Sequence, residues 1–90
     1  MASPLRYAVL VEVRLRPGIA DPQGATIERA LPAIGIAGVS GVRAGKAFRF
    51  EIEADDEAAA WARGTEVADR VLANPVIEEA TVTVAGRVTV

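Results

Sequence analysis

An α+β sandwich, with two helices on one face of an antiparallel sheet, is the fold this sequence predicts, and three observations predict it. Residues 7–16 and 47–54 alternate apolar and polar side chains at period two, as half-buried strands do. Each is followed by a helix start, Asp21-Pro22 in one case and Asp55-Asp56 in the other. A last strand-like stretch, residues 77–90, closes the order β-α-β-β-α-β, with residues 39–44 as a short extended segment. Two similar βαβ halves and a sheet covered on one face make this a ferredoxin-like arrangement in one domain over residues 1–90.

The first strand puts Tyr7, Val9, Val11, Val13 and Leu15 on its core face and Ala8, Leu10, Glu12, Arg14 and Arg16 on the other. Pro17 and Gly18 close it. Residues 1–4 read as a loose terminus. The first helix occupies residues 22–34. Asp21 offers a carboxylate to the free N–H groups of its first turn, and Pro22 fits the first helical position, where no N–H is needed. Gly24 is a poor helix former, so its place in the first turn predicts a close approach to the backbone there. Ile27, Ala30, Leu31 and Ile34 share one side, while Glu28 and Arg29 point away. Pro32 predicts a kink or a tightened last turn, and Gly35 a stop.

Ala44-Gly45-Lys46 turns the chain into the next strand, with Phe48, Phe50, Ile52 and Ala54 inward and Arg49, Glu51 and Glu53 outward. The second helix runs to Leu72, with Trp61, Ala68, Val71 and Leu72 on its buried stripe and Gly64 marking close packing on the sheet. Asn74-Pro75 ends it, asparagine tolerating the left-handed conformation and proline being unable to continue. In the last strand Ala80, Val82, Val84, Val88 and Val90 share a phase, Gly86 bends the chain, and residues 85–90 form a C-terminal extension. The outer sheet face carries enough Ala, Leu, Thr and Val to predict a homo-oligomer through the sheet or its edges.

A net charge of −2 argues against nucleic acid or an anionic membrane as partner, since phosphate binding needs an excess of Lys and Arg. The chain has neither cysteine nor histidine. Disulfides, thiolate or imidazole metal sites and every imidazole triad are thereby excluded, and no carboxylate pair stands in their place. No stretch reaches 18 apolar residues and no charged-then-apolar leader is present, so the expected location is the cytoplasm.

Three motifs fail on inspection. Gly41 and Gly45 before Lys46 resemble a phosphate-binding loop, but the template needs glycine at Ser40, a hydroxyl at Ala47 and a helix after the lysine. Residues 46–52 fall where RNA-recognition motifs stack bases on aromatic residues. Exposing Phe48 and Phe50 would bury Arg49, Glu51 and Glu53, so RNA binding is excluded. The acidic run Glu51, Glu53, Asp55, Asp56, Glu57 lacks the spacing of a calcium loop and reads as a solvated edge and helix cap.

Taken in order, Asp21-Pro22-Gln23-Gly24, Val42-Arg43-Ala44-Gly45-Lys46 and Leu72-Ala73-Asn74-Pro75-Val76-Ile77-Glu78 resemble the PurS family over residues 6–84. That family supplies the small subunit of phosphoribosylformylglycinamidine (FGAM) synthase. The resemblance implies an accessory subunit without an active site, bridging a glutaminase subunit (PurQ) and an ATP-using synthetase subunit (PurL) and keeping released ammonia from solvent. It implies no cofactor on this chain, ATP and Mg belonging to the large partner, and self-association as a dimer or tetramer. Carried over by residue, Asp21, Gln23, Gly24, Arg43, Gly45 and Lys46 become the expected interface with partner subunits. Pro22, Asn74, Pro75, Ile77 and Glu78 become structural positions. Ala80 departs from the family, which often has an aromatic residue there, and the tail after Val84 is longer than in many members. A metabolite-sensing ACT-like domain shares the element order and could use the loop from Asp21 to Gly24, but it leaves the other two motifs unexplained.

Overall fold

In the computed structural model, which describes residues 5–88, the alternating first strand is the centre of the sheet. β1 (Leu5–Leu15) is flanked by β2 (Gly45–Ala54) and β3 (Glu78–Arg87), both antiparallel to it, in the order β2-β1-β3. The register sets Val11 opposite Phe48 and Val82, and Val9 opposite Phe50 and Val84, so all three strands share one apolar face. A strand with a neighbour on each side buries its alternate residues most completely. Val9, Val11 and Val13 accordingly form the centre of the core. The other face carries ion pairs at both ends, Arg6 with Glu51 and Glu53, and Arg14 and Arg16 with Glu79.

Two helices connect the strands, α1 (Pro22–Ala33) and α2 (Glu57–Val67), and α2 continues through a π-helical turn, Ala68–Leu72. Asp56 caps α2 by accepting the N–H of Ala59 at 2.7 Å. Ala60, Gly64 and Ala68 face the sheet and are buried. Their smallness lets the helix approach. A Cβ on Gly64 would lie 3.1 Å from Val9 Cγ1 and 3.2 Å from Val82 Cγ1. Gly64→Leu is therefore expected to overpack this contact and to lower stability by about 2 kcal/mol, read as a shift in the urea midpoint at unchanged slope.

The α+β class, the antiparallel sheet and the strand phases are as expected. Four local expectations are corrected. Residues 39–44 add no strand, so the described sheet has three. Gly38 and Gly41 take φ of +82° and +69° and break the extended path, and the N–H groups of Val42 and Ala44 go to carboxylates instead of a neighbouring strand. α1 does not lie on its own sheet; it has no extended packing against any strand, and among its residues only Gly24 is buried. Trp61 and Val71 are not buried, being 51% and 76% exposed. The Trp61 Nε1 donates to the Val82 carbonyl at 3.2 Å, on the outer edge of β3, and the wider π turn carries Val71 off the buried stripe. No non-glycine residue among those described has positive φ: the helical run ends where Ala73 turns extended, and Asn74, instead of stopping it in the left-handed conformation, turns the chain beyond it by accepting the Val76 N–H.

Other local readings hold. Pro32 is accommodated by a tightened last turn, with the N–H of Ile34 bonded to Leu31 and that of Gly35 to Pro32, and Gly35 stops the helix at φ +87°. Gly86, at φ +142°, lies beside the irregularity in the β1–β3 register at Ala8 and Val9. The expected terminus at residues 1–4 and the end of the C-terminal extension, Thr89 and Val90, lie outside the described residues.

Candidate functional site

Antiparallel pairing gathers the three family-like motifs at one end of the sheet. Arg14 is opposite Gly45 and Leu15 is opposite Glu78, so the end of β1 and the starts of β2 and β3 coincide. The loops leading into α1, β2 and β3 therefore meet there. Between them is an open groove of about 410 Å³, lined in part by Leu15, Asp21, Gln23, Gly45, Lys46 and Glu78.

Asp21 is the hub of the first two loops. One carboxylate oxygen accepts the N–H of Gly24 at 3.0 Å, capping α1, and the other accepts the N–H of Ala44 at 2.7 Å. Arg43 lies alongside, its Nε 3.8 Å from Oδ2 and its Nη2 donating to the Ile19 carbonyl at 3.3 Å. The close approach expected at Gly24 is made from within the chain: a Cβ there would run into the Val42 carbonyl oxygen and the Asp21 carboxylate. Gly45 serves the same purpose, since its Cβ would come within 2.8 Å of the Val13 carbonyl oxygen. Pro22 occupies the first helical position, and Gln23 beside it is exposed.

The third loop is an Asx turn closed by a glutamate. The Asn74 Oδ1 accepts the N–H of Val76, and its backbone carbonyl accepts those of Ile77 and Glu78. Its N–H donates to Glu78 Oε1 at 2.8 Å, while Glu78 Oε2 faces Lys46 Nζ at 3.6 Å. Glu78 thus ties the third loop to the second. Pro75 and Ile77 are bound from β1: Arg16 donates from Nε and Nη2 to the Pro75 carbonyl at 3.2 and 3.0 Å, and from its backbone N–H to the Ile77 carbonyl.

Two contributors were missed in the sequence. Glu28 does not point away; its carboxylate accepts the N–H of Val42 at 2.9 Å, a second clasp one helical turn beyond Gly24. The i, i+4 spacing from Gly24 was the available signal. Arg16, an outer-face residue of β1 in the alternation, carries no local signal of this role, because its partner is distant in sequence.

The Asp21 carboxyl is held below its ordinary value of 3.8, chiefly by the N–H of Gly24, then by that of Ala44, with Arg43 adding to them against the effect of burial. A depressed native value means that this group stabilises the fold fully above the unfolded value and ceases to do so as pH falls through the native one. Hydrogen exchange at the Ala44 amide, corrected for its intrinsic pH dependence, is expected to lose protection as the pH drops below about 4, and Asp21→Asn to remove that step.

Among the described residues no group of three or more Asp and Glu side chains is placed to hold a metal ion, and no helix is long and apolar enough to cross a membrane. Fold and site together define a small α+β module whose three loops offer charged side chains at one end. Comparison makes this specific. A family model described as PurS, phosphoribosylformylglycinamidine (FGAM) synthase, matches residues 8–86, and the chain belongs to the PurS family. It is 45% identical to the Mycobacterium leprae FGAM synthase subunit PurS, over 82% of this chain and 90% of that one. With the Synechocystis subunit it shares 42% identity, over 80% and 72% respectively. The crystal structure of the Thermotoga maritima purS subunit superposes with a TM-score of 0.85 at 32% identity, covering 93% of this chain and 95% of that one. A chain of the T. maritima PurLQS structure gives 0.81 at 32% identity, covering 88% and 96%.

Proposed function

We propose that this chain is the bridging subunit of an FGAM synthase, docking through its three-loop end to a glutaminase subunit of the PurQ kind and an ATP- and Mg-using synthetase subunit of the PurL kind. It holds the two so that ammonia released from glutamine reaches the synthetase without escaping to solvent, and it works in the cytoplasm. The observation that carries this reading is the convergence of the three family motifs on one groove, in a chain similar to a component of PurLQS.

Within that end, Gln23, Arg43 and Lys46 face outward. Arg43 and Lys46 are 48% and 58% exposed, and their intramolecular ion pairs, at 3.8 and 3.6 Å, are long. Such pairs contribute little in water, so both cations are free to re-pair with carboxylates of a partner. Asp21, Gly24 and Gly45 shape the surface, and Pro22, Asn74, Pro75, Ile77 and Glu78 hold the loops beneath it. A metabolite-sensing role is not favoured, because the family match accounts for all three motifs.

The test is glutamine-dependent synthesis by purified glutaminase and synthetase subunits, with and without this chain, against ammonia-dependent synthesis as control. Glutamine turnover is expected to require the chain while ammonia turnover does not. The double substitution Arg43→Glu/Lys46→Glu is expected to weaken glutamine-dependent turnover at least tenfold at limiting subunit concentration. Indifference of both activities to the chain would end the bridging reading.

A further inference from the structure

Val76 and Val71 are the two most exposed large apolar side chains among the described residues, at 79% and 76%. Both stand at the three-loop end, and neither belongs to the charged set of Gln23, Arg43 and Lys46. Each is put there by a particular piece of backbone. Val71 follows Ala68 and Gly64 at helical spacing, and both of those are buried against the sheet, so a continued α-helix would carry it onto the same stripe. The π turn over Ala68–Leu72 widens the helix instead. Leu72 packs against the core and Val71 is turned out, in a backbone feature that is frequent at functional sites.

Val76 is held out by a loop without slack. Every N–H of residues 73–78 is bonded within the chain, Pro75 having none. Ala73 donates to the Ala68 carbonyl, Asn74 to the Glu78 carboxylate, Val76 to Asn74 Oδ1, and Ile77 and Glu78 to the Asn74 carbonyl. Arg16 adds its bonds to the Pro75 and Ile77 carbonyls. A valine on a slack loop can fold down out of water. One at the tip of a fully bonded loop stays in solvent, and little conformational freedom is lost when a partner covers it.

The cations border the same spot. Glu78 accepts the Asn74 N–H with one oxygen and faces Lys46 Nζ at 3.6 Å with the other, so the ammonium and the third loop share a carboxylate. Asp21 and Glu78, the anions paired with Arg43 and Lys46, are sheltered, at 5% and 13% exposure, so these two pairs present positive charge outward. An apolar centre with a charged rim is the anatomy of a protein interface.

Building on the bridging function proposed above, we propose that Val71 and Val76 are the apolar centre of the interface whose rim is Arg43 and Lys46. They seat in an apolar pocket edged by carboxylates on a partner subunit. A second copy of this chain does not fit that description, because two such ends brought together would set Arg43 and Lys46 against their own counterparts.

The test titrates the whole chain into fixed amounts of glutaminase and synthetase subunits and reads the concentration that half-saturates glutamine-dependent turnover, at low and at high salt. Val71→Ser/Val76→Ser is expected to raise that concentration about tenfold or more at both salts, with the rate at saturation unchanged. Arg43→Glu/Lys46→Glu is expected to act mainly at low salt and to flatten the salt dependence, as rim charges do. Both valines are exposed in the single chain, so the Ser variant should keep the parent's Tm. Val76→Thr, which keeps the shape and adds a hydroxyl, should fall between parent and Ser variant. A parent chain that supports no turnover would remove the bridging reading and this one with it. A parent that supports turnover while the Ser variant saturates at the same concentration would overturn the apolar centre alone. So would a Ser variant whose sedimentation in isolation differs from the parent's, since the valines would then face another copy of the chain.

Discussion

Gly24→Val is expected to unseat α1 while leaving the sheet folded. The added side chain must displace either the Val42 carbonyl or the Asp21 carboxylate, and neither can yield without losing a clasp between α1 and the loop before β2. Overpacking and a lost cap act together here, so the expected cost is about 3 kcal/mol. It is a local cost. Val42 and Ala44 amides should lose protection from hydrogen exchange, while the amides of β1 stay protected. Glutamine-dependent synthesis should fall with the loops, because Arg43 stands between the two residues whose N–H groups are released. Retained protection at Val42 and Ala44 would show that the helix start can relax around a side chain.

Val11→Asp is expected to act globally. Val11 is fully buried in the central strand, with Phe48 and Val82 opposite it and no polar partner for a carboxylate among its neighbours on that face. Burying an unpaired charge there costs several kcal/mol, against a total stability of about 5–15 kcal/mol for a domain. The expected result is a chain with no cooperative thermal transition by circular dichroism. Val11→Ala, which loses only packing, should keep the transition at a lower Tm. A cooperative melt for Val11→Asp would mean that the core can admit water or rearrange its strands.

What could be read from the sequence divides along a physical line. The β1 alternation, the Asp21-Pro22 start, the Gly35 stop and the inward phase of Phe48, Phe50 and Ile52 are all set by neighbours within a turn or a strand, and all stand. Features that depend on distant partners were not legible. The stripe of Ile27, Leu31 and Ile34 states that a helix face is apolar; it does not state which surface meets it. The exposure of Val71 depends on a π turn, which shifts the register of every later residue and has no signature in spacing. Residues 39–44 read as extended because Val39 and Val42 are strand formers, yet positive-φ glycines and two carboxylates claim that segment. At the site, the three motifs were visible one by one. Their meeting required the register that places Arg14 opposite Gly45 and Leu15 opposite Glu78.

The same register has a practical corollary for anyone attaching a reporter. Leu5 pairs with Ala54, and the Val88 amide donates to the Arg6 carbonyl, so both described ends of the chain emerge at the pole opposite the three loops. A strand of this length separates the poles by about 36 Å. A fluorophore or affinity handle at either end therefore stands clear of the groove, and a label near Asp55 does as well. Binding to a partner subunit can then be followed from the rear of the molecule without the probe competing for the surface under study.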